Sequence, residues 1–480
     1  MNDLNLLCGF APYTDSFNRH EGKTVFMTHT ETGDKLVILG GSLGFEGQPM
    51  EREGKDCLVA ELTHENALTM RHLFPFTKPK PGLEKGCSMG VGDRLGVATA
   101  GHLRVFKQYP QVFPVLAQQS IRELNLTERS YEDVLDCASF AVFKAGFKGG
   151  FGADGDHLKK PEEVAYALKC GYSMITLDSS EHIRGDVNGM NAQEVAAAYM
   201  ADQALEDLYL NKDFEIAPGI SLRFDRDAFR RAVLIYGSAI RFIGDIYTRF
   251  IAGRAVDFEI SIDETMTPTT PLEHYFVSSE LTRRGIRFAS LAPRFCGEFQ
   301  KGIDYIGDLD QFDRELIIHD AIAKHFHYKL SVHSGSDKFR VFPSVGRVTG
   351  GEFHIKTAGT NWLEAVRLVA RKDPACYRRL HAFALDHFTE ATKYYHVTTD
   401  LAKIPALDSL NDQALPGLMD MNDARQLLHI TYGLILTDRK PDGSYTFRSE
   451  LYKLLDTYAQ DYEALLEKHI GRHLALLFNV

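Results

Sequence analysis

The stretch GGFGADGDHLKKPEEVAYALKCGYSMITLD, residues 149–178, decides the architecture. GGFGAD (149–154) and SMITLD (173–178) are short runs that each end on an aspartate. Between them, PEEVAYALKCG opens on Pro161 and two acids and closes on Gly171, which is the polarity of an α-helix. Strand, helix and strand in succession predict a βαβ unit and therefore a parallel sheet.

The same rhythm recurs on both sides. RLGVATA (94–100) and QVFPVLA (111–117) precede the unit; VDFEISID (256–263), IRFASLA (286–292), YKLSVH (328–333) and EFHIKTA (352–358) follow it. DLDQFDRELIIHDAIAKHF and NWLEAVRLVARKD carry helical periodicity among them. Eight strand signals joined by helices predict an α/β fold, a closed (β/α)8 TIM-type barrel rather than an open doubly wound sheet. No GxGxxG follows a strand, and GGFGADG has the wrong spacing, so no nicotinamide cofactor is expected. Residues 1–87 read as an N-terminal strand-rich region, with two strands around Thr32-Gly33-Asp34 and a connector, TKPKPGLEKG, at 77–86. Residues 88–373 are then the catalytic barrel with a helical insertion at 190–253, and residues 374–480 a helical C-terminal extension.

With 44% hydrophobic and 25% charged residues, the 480-residue chain has an ordinary globular composition. Its net charge of −11 argues against nucleic acid or an anionic membrane as partner, because both select basic surfaces. The seven cysteines (Cys8, Cys57, Cys87, Cys137, Cys170, Cys296, Cys376) are scattered and form no CxxC pair. That pattern disfavours a disulfide framework or zinc ribbon and fits a reducing compartment. MNDLNLLCGFAPYTD lacks the basic and apolar parts of a secretory signal, and no apolar run is long enough to span a membrane. The expected location is the cytoplasm. A homo-oligomer is compatible with all of this.

In such a barrel the polar residues just past each strand face the active site. The third strand runs into Asp156-His157-Leu158-Lys159, the fourth ends on Asp178, and the fifth ends in Asp263-Glu264-Thr265. Arg294 follows the sixth strand, and the seventh ends in His333-Ser334-Gly335-Ser336-Asp337-Lys338. His354, Lys356 and Thr357 lie on the eighth. Histidines and carboxylates from separate strands suit a divalent cation such as Zn²⁺, Mn²⁺, Ni²⁺ or Co²⁺, with one coordination position left for a substrate oxygen. His157, His333 and His354 are the expected ligands. Any one of 19 histidines is more often a surface or hydrogen-bonded residue, and His354 lies inside its strand rather than after it. Asp156 and Glu264 are the expected acid/base pair, against the plainer reading of helix caps or surface ion pairs. Asp178 is expected to orient a ligand or contact substrate. Lys159, Arg294, Lys338 and Lys356 are expected to clamp a carboxylate, which makes a small anionic substrate the expected partner. A late-strand lysine such as Lys356 also admits Schiff-base chemistry with a ketone.

Five motifs in order, FGADGDHLK (151–159), TLDSSEHI (176–183), FEISIDET (258–265), LSVHSGSDKF (330–339) and FHIKTAGTNWLEA (353–365), resemble the tagaturonate/fructuronate epimerase family. The likeness runs through residues 88–365. It implies a metal-dependent isomerase of hexuronate catabolism, with Asp156 as proton acceptor, Glu264 as proton donor and His157 among the metal ligands. The two keto-acids differ at a hydroxyl-bearing carbon β to the ketone, whose hydrogen the carbonyl does not acidify. Removing the hydroxyl proton instead permits retro-aldol cleavage, rotation of the aldehyde and re-addition. Three alternatives stay open: a metal-dependent C4-epimerase or aldolase acting on neutral ketohexoses, a redox epimerase with tightly held NAD, and a non-catalytic sugar-acid-binding protein.

Overall fold

The two-residue turn at Glu31 and Thr32 folds one apolar run back on the next, giving the hairpin of β2 (Lys23–Thr30) and β3 (Gly33–Leu39) with Thr30 opposite Gly33. The computed structural model describes residues 9–84 and 86–478; Cys8 and the start of the N-terminal region lie outside them. With β1 (Asn18–His20), β4 (Gln48–Arg52) and β5 (Lys55–Ala60) the hairpin forms a five-stranded antiparallel sheet in the order β1-β2-β3-β5-β4. The two-residue period of a strand sorts its side chains. Val25, Met27, Leu36 and Ile38 pack with Phe140 and Phe143 of the helix Tyr131–Lys144, while Phe26, Val37 and Cys57 gather with Phe10 on the other face.

Eight strands then close a barrel: β6 (Ser88–Val91), β7 (Phe113–Gln119), β8 (Gly152–Leu158), β9 (Met174–Asp178), β12 (Asp257–Ser261), β13 (Ser290–Ala292), β14 (Lys329–Val332) and β15 (Phe353–Thr357). Two further strands, β10 (Phe214–Ala217) and β11 (Ile220–Leu222), form a hairpin inside the insertion, which is otherwise helical and ends in the long helix Arg226–Ile246. Every barrel pairing given by register is parallel.

Seven of the eight expected strands coincide with barrel strands, and the first does not. RLGVATA (94–100) is a turn leading into the helix Thr99–Gln108, and the first strand is the earlier, shorter Ser88–Val91. The cause lies in Asp93. Its carboxylate accepts from the amides of Leu95, Gly96, Ala98 and Thr99 at 2.7–3.2 Å, which rolls the chain into a turn and starts the helix. Gly96, at φ +78°, supplies the left-handed residue this turn requires.

The described chain divides into two compact units, each with its own packing. One comprises Met1–Lys80, Val91–Ala153 and Ala358–Gly471. Beyond the N-terminal sheet it holds a helical core in which Trp362, Tyr377, Leu380, Leu427 and Leu466 are fully buried. Trp362 Nε1 donates to the Leu428 carbonyl at 2.7 Å. Arg94, also buried, pairs with Glu123 at 2.9 Å and lies 3.9 Å over the Tyr432 ring. The other unit comprises Pro81–Gly90, Asp154–Thr357 and Arg472–Val480, and carries most of the polar strand ends. Among the described residues no disulfide forms, and no helix is long and apolar enough to cross a membrane.

Four buried histidines away from the strand ends give the fold a predictable acid sensitivity. Burial pulls His102, His319 and His381 down to about 4 and holds His274 well below its ordinary value. All four are therefore neutral when folded, whereas in the unfolded chain they take protons from about pH 6.5 downward. Their contribution is complete above that pH and is lost as pH falls toward 4. Burial also raises carboxyls, Asp154 to about 6 and Asp136, Asp178, Asp257, Glu273 and Asp320 in the same direction, and their protonation in the folded chain opposes this in part. The urea midpoint is expected to decline from pH 6.5 to 5 with net proton uptake on unfolding; a constant midpoint would contradict these burial effects.

Candidate active site

A barrel interior is ordinarily filled by layers of branched apolar side chains. Here a buried polar layer takes their place. Glu259 lies in register with Thr176 on one side and Ser290 on the other, and Lys356 enters the same layer from β15. Its ammonium is 2.7 Å from Asp154, 2.7 Å from Asp156 and 2.8 Å from Glu259, and it also bonds the Thr176 hydroxyl. Ser290 donates to Glu259 at 2.5 Å. Burial opposes a charged lysine, but the three carboxylates outweigh it and hold Lys356 well above its ordinary value. A Schiff-base lysine must offer a neutral amine. With three carboxylates 2.7–2.8 Å from its Nζ, Lys356 is surrounded by groups that favour the ammonium, which disfavours the Schiff-base alternative.

Above this layer the strand ends bring three donors together. A bulge in β8 breaks its register between Gly155 and Leu158, and His157 adopts φ +52°. Bulges re-aim side chains, and this one sends the consecutive residues Asp156 and His157 to the same site. A Cβ at Gly155 would stand 3.0 Å from both Ala167 and Leu158, so any side chain there would push these neighbours aside. His157 Nδ1 is 2.8 Å from Asp156 Oδ1, and its Nε2 is 4.0 Å from Asp263 Oδ1. His333, one residue past β14, places Nε2 2.8 Å from Glu259 and Nδ1 3.1 Å from Asp263 Oδ1. The two imidazole rings are 4.8 Å apart. Donor atoms of His157, Asp263 and His333 all lie within 4.8 Å of one another.

Charge dominates this group. Burial alone would lower His157, but Asp156 outweighs it and lifts the imidazole to about 10. His333 is raised in the same sense, by Asp263 and then Glu259 against burial. Burial pushes the Asp156, Glu259 and Asp263 carboxyls up; the Lys356 ammonium for the first two and His333 for the third reverse this and hold all three below the usual range.

The remaining expected residues are distributed unevenly. Glu264, 37% exposed, pairs with Lys159 at 3.2 Å, and Lys159 also reaches the buried Asp178 at 3.3 Å and Ser180 at 3.2 Å. His354 is level with Ser331, two residues deeper than His333, and its Nδ1 meets Ser88 at 2.9 Å while Nε2 has no hydrogen-bond partner among the described residues. It is not part of the three-donor group, in which Asp263 holds the third place. Lys338 is fully buried and donates to the carbonyls of Gln300, Ile303 and Ser336 at 2.6–2.9 Å. Arg294 bonds the Thr265 carbonyl and lies 3.8 Å from Glu298. Two residues that strand-end reading passes over stand beside these groups. Glu259 could have been found as an acid between Phe258 and Ile260 in a buried strand. Lys301, half-buried and 2.9 Å from Ser334, sits in a loop with no pattern of its own.

Two imidazoles and a carboxylate, each imidazole backed on its second nitrogen by another carboxylate, are a donor set suited to a borderline divalent cation. Together with the barrel whose strand ends carry them, they have the arrangement of a barrel enzyme's active site. The UxaE family, tagaturonate epimerase, matches residues 13–477. The chain is 40% identical over 479 residues to the tagaturonate/fructuronate epimerase of Thermotoga maritima, covering 98% of this chain and 97% of that one. It is also similar to crystal structures of the fructuronate-tagaturonate epimerase UxaE from Cohnella laeviribosi. A glycerol complex matches with a TM-score of 0.95 at 50% identity over 98% of this chain and 96% of that one. The native form matches with a TM-score of 0.94 at 50% identity over 97% and 96%. The chain therefore belongs to the tagaturonate epimerase family and is an epimerase, an enzyme of the isomerase class.

Proposed function

We propose that this epimerase interconverts D-tagaturonate and D-fructuronate with a divalent cation held by His157, Asp263 and His333. The observation that carries the reading is the convergence of these three donors within 4.8 Å, directly beside Asp156. A bound cation supplies Lewis-acid polarisation of the ketone and of a neighbouring hydroxyl. Lys356 and His157 keep Asp156 ionised, the state from which a base must start. Asp156 takes the proton of the hydroxyl β to the ketone. The bond between that hydroxyl-bearing carbon and the carbon α to the ketone breaks, its electron pair passing into an enediolate and leaving an aldehyde. The aldehyde turns about its remaining bond axis, the enediolate re-adds to its other face, and the inverted alkoxide takes a proton from Glu264, the starting state being restored when the proton taken by Asp156 passes through solvent to Glu264. Lys159 and Lys301 are assigned to the substrate carboxylate, which keeps the fragments from separating during the turn. We read residues 88–373 as the catalytic barrel between an N-terminal region and a helical extension, in a cytoplasmic enzyme.

Purified protein supplied with D-tagaturonate is expected to form D-fructuronate, and to turn over the neutral ketohexose D-tagatose at least about 100-fold less efficiently. That ratio corresponds to one or two charge-assisted contacts with the carboxylate. Lys159→Ala should narrow the gap by raising KM for the acid alone. Equal efficiency on both sugars would replace this reading with the neutral-ketohexose alternative.

A further inference from the structure

We infer that the two histidines present opposite ring nitrogens to the cation, Nε2 from His157 and Nδ1 from His333, and that Lys356 is the positioning residue behind both. The inference rests on the cation centre proposed above.

A carboxylate only accepts hydrogen bonds, so a ring nitrogen against one carries the proton. Asp156 Oδ1 occupies Nδ1 of His157 and Glu259 Oε1 occupies Nε2 of His333, each at 2.8 Å. In a neutral imidazole the lone pair is then on the other nitrogen. The other nitrogens both look toward one oxygen, Asp263 Oδ1, at 4.0 Å for His157 and 3.1 Å for His333; His333 thus has a carboxylate on each nitrogen, and a cation beside Asp263 would displace the proton that Nδ1 shares with it. The lone pairs thus converge although the rings are presented the opposite way round, tilted by 59° to each other.

The acceptor oxygens themselves are fixed from below by one group. Lys356 Nζ is 2.7 Å from Asp156 Oδ1 and 2.8 Å from Glu259 Oε1, the very atoms that receive the histidines. Ser290 holds Glu259 a second time. A single buried ammonium therefore sets two carboxylates, and through them the tautomers of two imidazoles. Partners of this kind commonly change metal affinity by about 10–100-fold.

The test uses protein labelled with ¹⁵N-histidine and loaded with Zn²⁺ alone, with His157→Gln and His333→Gln proteins assigning the signals. Two-bond ¹⁵N–¹H correlations are expected to show His157 protonated on Nδ1 and His333 protonated on Nε2. Metal bonding through the same nitrogen of both rings would overturn the inference. In Glu259→Gln, Zn²⁺ affinity measured against a chromophoric chelator should fall about 10–100-fold, and His333 should lose its single tautomer. Wild-type affinity with an unchanged His333 signal in that variant would count equally against it. If wild-type protein binds no Zn²⁺ yet converts tagaturonate, the inference falls and the epimerase reading stands. If it binds Zn²⁺ with opposed tautomers but leaves tagaturonate unchanged, the reverse holds.

Discussion

In the His333→Ala protein, conversion of tagaturonate is expected to fall by about 10³-fold, the kinetic equivalent of roughly 4 kcal/mol of lost charge stabilisation. His333 links two parts of the site: its Nδ1 faces Asp263 and its Nε2 is tied to Glu259 in the buried layer. Removing it takes away a cation donor and leaves Glu259 with one cationic partner fewer. Folding should survive, since Glu259 keeps Lys356 at 2.8 Å and Ser290 at 2.5 Å. The comparison that isolates the effect is His354→Ala. His354 sits deeper, against Ser88, and outside the three-donor group. Its loss should leave most of the cation affinity in place, and measuring bound cation and turnover in both proteins separates the two histidines. Near-normal turnover in His333→Ala would remove that residue from the centre.

The second large effect belongs to Lys356. Replacing it by methionine keeps the volume and deletes the charge, so that Asp154, Asp156 and Glu259 lose the ammonium now 2.7–2.8 Å from each. Breaking a buried ion pair by removing one partner costs about 3–5 kcal/mol, because the remaining charge is stranded. Three carboxylates around one lost cation place this variant at the upper end. The sign of its pH dependence follows from the same picture. Lys356 holds Asp156 and Glu259 below the usual carboxyl range. Without it their values rise, and protonation relieves the repulsion. The stability deficit of Lys356→Met against wild type should therefore be largest at pH 8 and shrink toward pH 5.5, measured by urea unfolding. A deficit that grows in acid, or none at all, would show that the cage does not carry the charge described here.

Most of the barrel was legible because buried parallel strands are apolar runs that end abruptly in polar residues. MITLD is of this kind and ends on Asp178, whereas DFEIS alternates polar and apolar residues and leads to Asp263 two positions past its end. The first strand escaped because Ser88–Val91 has four residues, one of them glycine, beside the longer and more apolar RLGVATA. What bends that second segment is the set of bonds from Asp93 to backbone amides, and no periodicity reports a side chain bonding to backbone. The site was legible to the depth of the strand ends. His157, His333, Asp156 and Glu264 stand there, and a list of strand-end residues finds them. Lys356 was visible as a residue, but its surroundings were not. Its three carboxylates, Asp154 and Asp156 of β8 and Glu259 of β12, come from inside other strands, and only register brings them together. Lys338 shows the converse. Its place after β14 resembled that of a clamp, whereas its ammonium is bonded to three carbonyls.

The most direct measurement is the cation content of the purified protein, taken together with its rate of tagaturonate–fructuronate interconversion before chelation, after chelation and after re-addition of single cations. The expected result is about one divalent cation per chain, a rate that falls by at least about 10³-fold as the cation is removed, and recovery with one of Zn²⁺, Mn²⁺, Ni²⁺ or Co²⁺. Full activity in protein shown to be free of cation would contradict the account.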